Sequence, residues 1–349
     1  MCHLHPVWLG SVRLKAEVPI RAAPLQLGLP IEAASRELPV LDERARGTRF
    51  FSLPVRRVLN SPETTHMGFW SINPYVGCEF GCSYCYARRT HEWTLERTTG
   101  KPGIEPPHES FEHNILVKHS APDVLLRTLE PGKLGNTPLV IGTATDPYQP
   151  AERKFGLTRR LLQALLHHRG LRIRIITKSP LVARDIDVLR ELSTRHQVGV
   201  NISIGSMDPG IIRCLEAKSP LPHARMRALH RLIEGKINAG IMIAPILPGI
   251  TDGWAQLAAL MEAARQAGAH WAVGYPLRLG PAARAGFLPL LRRKFPDLVE
   301  RYERRYGNNQ HAGKQYEAAL EKRIASLQEA FGFPPGRLET DSPQPLLTS

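Results

Sequence analysis

Cys78-Glu79-Phe80-Gly81-Cys82-Ser83-Tyr84-Cys85 sets three thiols within eight residues at a C-x3-C-x2-C spacing. The chain has five cysteines, the other two being Cys2 and Cys214. An odd number with three crowded together does not suit a disulfide framework and reads as metal ligation in a reducing compartment. Structural zinc takes four ligands, commonly two cysteine pairs; no second pair follows, so a zinc site here would need His91 as its fourth ligand. A closed electron-transfer cluster takes four cysteines. Three local thiolates instead predict one [4Fe–4S] cluster with three protein ligands and one open iron. An open coordination position is what separates a reactive metal centre from a structural one.

Outward from this segment, short β-branched runs alternate with longer amphipathic ones. Strands are expected at 68–75, 138–144, 171–177, 198–204, 239–245 and 270–275. Helices are expected at 157–168, 181–195, 223–234 and 254–267, where apolar residues recur three and four apart. This alternation predicts an α/β fold with a parallel sheet of right-handed crossovers, an open or incomplete barrel. Ligands of such folds gather at the carboxyl ends of the strands. There the sequence sets the cysteine segment, Thr145-Asp146-Pro147, Lys178-Ser179-Pro180, Ser206-Met207-Asp208 and Pro248-Gly249. Residues 1–45 are expected to be a poorly ordered N-terminal extension, 46–280 the barrel, 281–335 a helical C-terminal extension (wholly helical over 287–331) and 336–349 a tail.

With 349 residues and 42% hydrophobic content, burial can support the fold without covalent staples. No apolar run is long enough to span a bilayer, and the N-terminus lacks the pattern of a secretion signal, so a cytoplasmic location is expected. Lys plus Arg exceed Asp plus Glu by 46 − 32 = 14. That excess favours a polyanionic partner, nucleic acid first, although charge alone does not define chemistry. The densest basic stretch holds Arg278, Arg284, Arg292, Arg293, Lys294, Arg301, Arg304 and Arg305, with Phe295, Tyr302 and Tyr306 interleaved. Such a pattern grips phosphates and stacks bases. Its plain alternative is a solvated helix face with Arg293–Asp297 and Glu300–Arg304 pairs.

C-x3-C-x-aromatic-C, with Tyr84 as the aromatic, resembles the signature of the radical SAM superfamily. Ser71-Ile72-Asn73-Pro74-Tyr75-Val76-Gly77 before the triplet and Tyr86-Ala87-Arg88 after it are similar to the subgroup related to spore photoproduct lyase. So are Gly142-Thr143-Ala144-Thr145-Asp146-Pro147-Tyr148-Gln149-Pro150, Thr177-Lys178-Ser179 and Ala244-Pro245-Ile246-Leu247-Pro248-Gly249. The resemblance implies a partial (β/α)6 barrel and a [4Fe–4S] cluster on Cys78, Cys82 and Cys85. It implies that the open iron binds the amino and carboxylate groups of S-adenosylmethionine. Reductive cleavage there yields a 5′-deoxyadenosyl radical for hydrogen abstraction. A flavodoxin- or ferredoxin-type electron donor is implied as partner.

The same resemblance places Tyr84 beside the cluster and the cofactor's adenine, Lys178 against the methionyl carboxylate, and Ser203 near the ribose or carboxylate. Thr143 and Thr145 alternate about Ala144 and so share one strand face, expected to be the lumen. Asp146 is expected either to bind ribose or substrate or to begin the turn before Pro147. Spore photoproduct lyase uses a further cysteine between the cluster motif and the next barrel strands; this chain has none between Cys85 and Cys214. Cys214, whose plain reading is a buried inert thiol, and Tyr275 are the candidate hydrogen donors, and the substrate does not carry over from the resemblance. The rival readings are a non-catalytic iron–sulfur or zinc module that binds nucleic acid, and an electron-transfer protein.

Overall fold

The computed structural model describes residues 39–44, 47–65, 67–91, 94 and 107–336. Among these, eleven strands form two sheets. In the larger one, β4 (Trp70–Ile72), β7 (Leu139–Ile141), β8 (Arg172–Thr177), β9 (Gln197–Ser203), β10 (Ala239–Ile246) and β11 (Ala272–Pro276) lie side by side. All five pairings among these six strands are parallel, and β3 (Leu59–Asn60) adds an antiparallel edge. The order β11-β10-β9-β8-β7-β4-β3 leaves both edges unjoined, so the sheet is an open, incomplete barrel. Five of the six expected strands occur in this sheet much as expected, and the sixth, 68–75, only in part.

Strands of a parallel sheet carry apolar side chains where helices cover them. On one face of β9 and β10, Val198, Val200, Ile202, Ile241 and Ile243 are all at most 2% exposed, while the other face of β9 carries the buried polar Asn201 and Ser203. Full burial of such a side chain contributes about 1.5–3 kcal/mol, so this layer dominates the stability of the frame. The helices Leu157–Leu165, Ile186–Ser193, Pro222–Glu234 and Trp254–Gln266 fall where periodicity put them, except that 180–185 winds as a 3-10 turn.

Two expectations need correction. The run 68–75 is not one strand. Pro74 has no N–H to continue a ladder, and the chain leaves the large sheet after Ile72. It then pairs as β5 (Tyr75–Val76) with β6 (Asn114–Val117) in a second sheet. That sheet, of order β1-β2-β6-β5, also holds β2 (Arg49–Ser52) and β1 (Val40–Glu43), the latter inside the segment assigned to the extension. Nor are residues 287–331 one helical run. The helix Pro281–Lys294 stops at Phe295 before Pro296, a second spans Val299–Tyr306, and a third spans Lys314–Ala330. The third covers the β11 edge, where Gln328 Nε2 donates to Ala272 O at 2.8 Å. No described helix is long and apolar enough to cross a membrane.

Candidate active site

The switch of sheets at Pro74 throws the cysteine loop across the carboxyl ends of the large sheet. Gly77 makes the turn into it with φ +92°, and a Cβ there would lie 2.9 Å from Phe111 O, so only glycine fits. The β7 exit holds one side of the loop. Thr145 Oγ1 and Gln149 Nε2 both donate to Gly77 O, at 2.6 and 3.1 Å, while Gln149 Oε1 accepts from Glu79 N at 3.0 Å. These bonds bracket Cys78. Residues 215–218 hold the other side: Ser83 N donates to Leu215 O, Ala217 N to Gly81 O and Lys218 N to Phe80 O. Behind the loop, the helix Pro281–Lys294 comes so close that a Cβ on Gly286 would stand 2.4 Å from Ser83 O.

Cys78 is buried, Cys82 and Cys85 are partly open, and all three pack with Phe80, Ala87, Phe111 and Ala144. Burial pushes every one of these thiols up, Cys82 to about 12. Metal ligation has to displace those protons, which couples loading of the site to proton release. Among the described residues, no three or more His, Cys, Asp or Glu side chains converge as ligands of a single metal ion. His91, the residue a zinc site would need, has Nε2 on Asn114 O at 2.7 Å and its ring packed edge-on against Phe111. The donor set therefore fits a three-thiolate [4Fe–4S] cluster with one iron free for a chelating cofactor.

Beside Cys82 lies a buried charged group that adds Glu216 and Arg225, which sequence reasoning missed, to the expected Lys178 and Tyr84. Lys178 Nζ is 2.7 Å from Glu216 Oε1, 2.8 Å from Tyr84 OH and 3.5 Å from Cys82 Sγ. Glu216 also accepts from Tyr84 OH and from Arg225, and Ser219 Oγ donates to its Oε2 at 2.7 Å. Burial opposes charge on Glu216, yet Lys178 and Arg225 hold its pKa well below the usual carboxylate range. Burial likewise opposes charge on Lys178, and Cys82, Glu216 and Tyr84 hold its pKa well above the ordinary lysine value. Glu216 follows the helix Pro209–Leu215, and nothing in its sequence context marks it.

The other expected residues divide. Asp146 accepts from Tyr148 N, Thr177 Oγ1 and Lys178 N at 2.9, 2.6 and 2.7 Å. Its carboxylate joins the β7 and β8 exits. Thr145 serves the cysteine loop, and Thr143 Oγ1 accepts from Asn73 Nδ2 at 3.1 Å. Ser203 Oγ donates to Ala244 O of β10 at 3.2 Å. Cys214 is a half-buried free thiol on the helix that ends at Leu215, and Tyr275 is half-buried in β11. Tyr86, 43% exposed, donates to the Thr143 carbonyl.

The basic stretch keeps its cations but not its aromatics. Tyr302 and Tyr306 are buried, their rings stacked 5.7 Å apart, and Phe295 packs on the same cluster. Arg304 pairs with Glu300 at 3.7 Å, both exposed. Arg301, Arg304, Arg305 and Lys314 line an open cavity of about 500 Å³ where the helix Lys314–Ala330 begins. Arg301 reaches to 3.3 Å from the position a Cβ would take on Gly249, at the β10 exit. Trp254, in the same exit region, is 53% exposed.

The chain matches the model of the Radical SAM superfamily over residues 72–261. It is 30% identical over 283 residues to an uncharacterized protein of Mycobacterium tuberculosis, covering 80% of each chain. Over 181 residues it is 31% identical to an uncharacterized protein of Methanocaldococcus jannaschii, covering 52% of this chain and 61% of the relative. Its fold is similar to that of spore photoproduct lyase. One solved variant gives a TM-score of 0.60 at 15% identity, covering 86% of both chains. Another, with bound AdoMet and dinucleoside spore photoproduct, gives 0.54 at 15% identity, covering 75% of this chain and 74% of that one. At such identities the likeness speaks for the fold. The matched span runs from β4, just before the cysteine loop, to the helix after β10, and this chain belongs to the radical SAM superfamily as an enzyme of the spore photoproduct lyase-like fold.

Proposed function

We propose that Cys78, Cys82 and Cys85 hold a [4Fe–4S] cluster at which S-adenosylmethionine is reductively cleaved, and that the substrate is a nucleic acid or nucleotide. The observation that carries the chemistry is a three-thiolate loop laid over the strand exits of an open parallel barrel. When bound, the cluster and cofactor supply one electron and a 5′-deoxyadenosyl radical for hydrogen abstraction. Electrons come from a flavodoxin- or ferredoxin-type donor. The chain's own part is to fix the loop through Thr145, Gln149 and residues 215–218, and to keep water from it with Phe80, Phe111 and Ala87. A dry, rigid site limits side reactions of a radical. Cys214 and Tyr275 are the proposed hydrogen donors to product, each to be substituted in turn.

Support for nucleic acid comes from the rim. Arg301 stands by the β10 exit, and the basic cavity continues from Arg301 to Lys314. The exposed indole of Trp254 offers a stacking surface on that side. Binding of single-stranded DNA or RNA to the anaerobic holoprotein, titrated against salt, tests this. Removing one phosphate-binding cation, as in Arg301→Ala or Lys314→Ala, should lower the log–log salt slope by roughly 0.7–0.9. Cofactor cleavage indifferent to both nucleic acids, with no salt-dependent binding, would exclude this substrate class.

A further inference from the structure

Arg301, Arg304 and Arg305 stand at i, i+3 and i+4 of the helix Val299–Tyr306, so their side chains leave one face of it. Lys314 begins the next helix, and these four cations line one open cavity of about 500 Å³. Among the described residues, no carboxylate lines it. The neighbouring carboxylates are engaged elsewhere. Glu317 Oε1 accepts from Ala312 N at 3.1 Å and lies 3.5 Å from His311 Nδ1, while Asp252 Oδ2 accepts from Tyr316 OH at 2.9 Å. Glu303 pairs with Arg292, and Glu300 reaches only Arg304, at 3.7 Å with both side chains exposed.

Arg301 and Lys314 have no ion-pair partner among the described residues. Arg305 lays its guanidinium 4.2 Å over the Tyr316 ring, and its buried Nε has no hydrogen-bond partner among the described residues. No side chain caps the helix start at Gly313, which leaves the first-turn N–H groups as further donors beside the cations.

Cations that follow a nucleic-acid backbone are spread along a groove. These converge on one point. A phosphomonoester carries about 1.5–2 negative charges near pH 7 and three acceptor oxygens, which guanidinium forks bond in pairs. A phosphodiester link offers a single charge and fewer free oxygens. We propose that this cavity is a binding site for a phosphomonoester, held by Arg301, Arg304, Arg305 and Lys314 at the start of the helix Lys314–Ala330.

The cavity wall is tied to the barrel. Tyr316 OH holds Asp252, whose Oδ1 accepts from Gly249 N at 2.7 Å, in the turn at the β10 exit. A terminal phosphate bound here sets one end of the substrate at a fixed place relative to that exit. This last step rests on the nucleotide reading of the substrate; the anion site itself does not.

The test uses the anaerobically reconstituted protein at low salt, with calorimetric titration of three probes. These are inorganic phosphate, a dinucleotide carrying a 5′-phosphate, and the same dinucleotide ending in a 5′-hydroxyl. Arg301→Gln and Lys314→Gln change exposed side chains, so their fold and iron content should match wild type. Wild type should bind inorganic phosphate saturably at one site, and each variant should bind it about tenfold more weakly, as loss of a charge-assisted hydrogen bond implies. The 5′-phosphate should improve dinucleotide binding about tenfold in wild type, and the variants should lose most of that gain. No saturable phosphate binding, or binding that both variants retain in full, would overturn the proposal. Equal affinity for the two dinucleotides, lowered alike by both variants, would overturn it in favour of a phosphodiester track. Phosphate binding lost in the variants, with neither dinucleotide bound, would uphold the anion site and contradict the nucleotide reading instead.

Discussion

Cys82 and Glu216 face each other as an isolated antiparallel bridge, which ties the middle ligand of the loop to the segment after β9. The same Glu216 carries the carboxylate shared by the buried Lys178 and Arg225. Removing one member of a buried charge group leaves the rest uncompensated, at a cost of about 3–5 kcal/mol. Glu216→Ala should lose stability on that scale in urea unfolding and retain less iron after desalting. A stability within error of wild type would show that water or backbone groups satisfy both cations.

Gly286 is a second fulcrum. Helix propensity alone would favour alanine there by about 1 kcal/mol. The new Cβ, however, would overlap the backbone carbonyl of Ser83, which cannot swing aside as a side chain can. Overpacking of this kind costs typically about 1–3 kcal/mol, so the clash wins. Gly286→Ala should be less stable than wild type and should displace the loop that holds Cys82 and Cys85, seen as a lower iron content. A more stable variant with full iron would contradict the close approach.

His91 supplies a pH dependence. It is fully buried, its Nε2 meets Asn114 O, and its Nδ1 has no hydrogen-bond partner among the described residues. Burial pushes its pKa down to about 4. An unfolded histidine protonates near 6.5. Between those values the unfolded state binds more protons, so stability rises with pH across the window and is level above it. Lowering the pH from about 7.5 to about 5 should cost roughly 2 kcal/mol through this residue. His91→Phe should lack that component when urea midpoints at the two pH values are compared. Equal slopes in the two proteins would place the effect elsewhere.

Much of this was legible in the sequence because periodicity and spacing are local. The six parallel strands follow from β-branched runs such as 198–204, and the ligand loop follows from three cysteines in one segment. What was not legible is what depends on contacts between distant segments. Tyr302 and Tyr306 lie in a basic stretch and read as a surface, but their 3.6-residue phase turns them onto Leu277 and Phe287 instead. Asp146 offers the same chemistry whether it binds a ribose or locks a turn. Its bonds to Thr177 Oγ1 and Lys178 N, from the next strand exit, could not be read from its own segment. Glu216 had no local mark, since its function is set by Lys178 and Arg225 arriving from other elements. The second sheet escaped because its strands are short, two to four residues each.

Cofactor cleavage tests the chemistry of the cysteine loop, on which everything else depends, most directly. The protein is reconstituted without oxygen, reduced with dithionite and given S-adenosylmethionine, and 5′-deoxyadenosine is quantified beside a Cys82→Ala control. Wild type should form 5′-deoxyadenosine, and Cys82→Ala none above background. No product from a wild type with its full complement of iron and sulfide, or equal product from the control, would contradict a three-thiolate cluster at this loop as the site of radical formation.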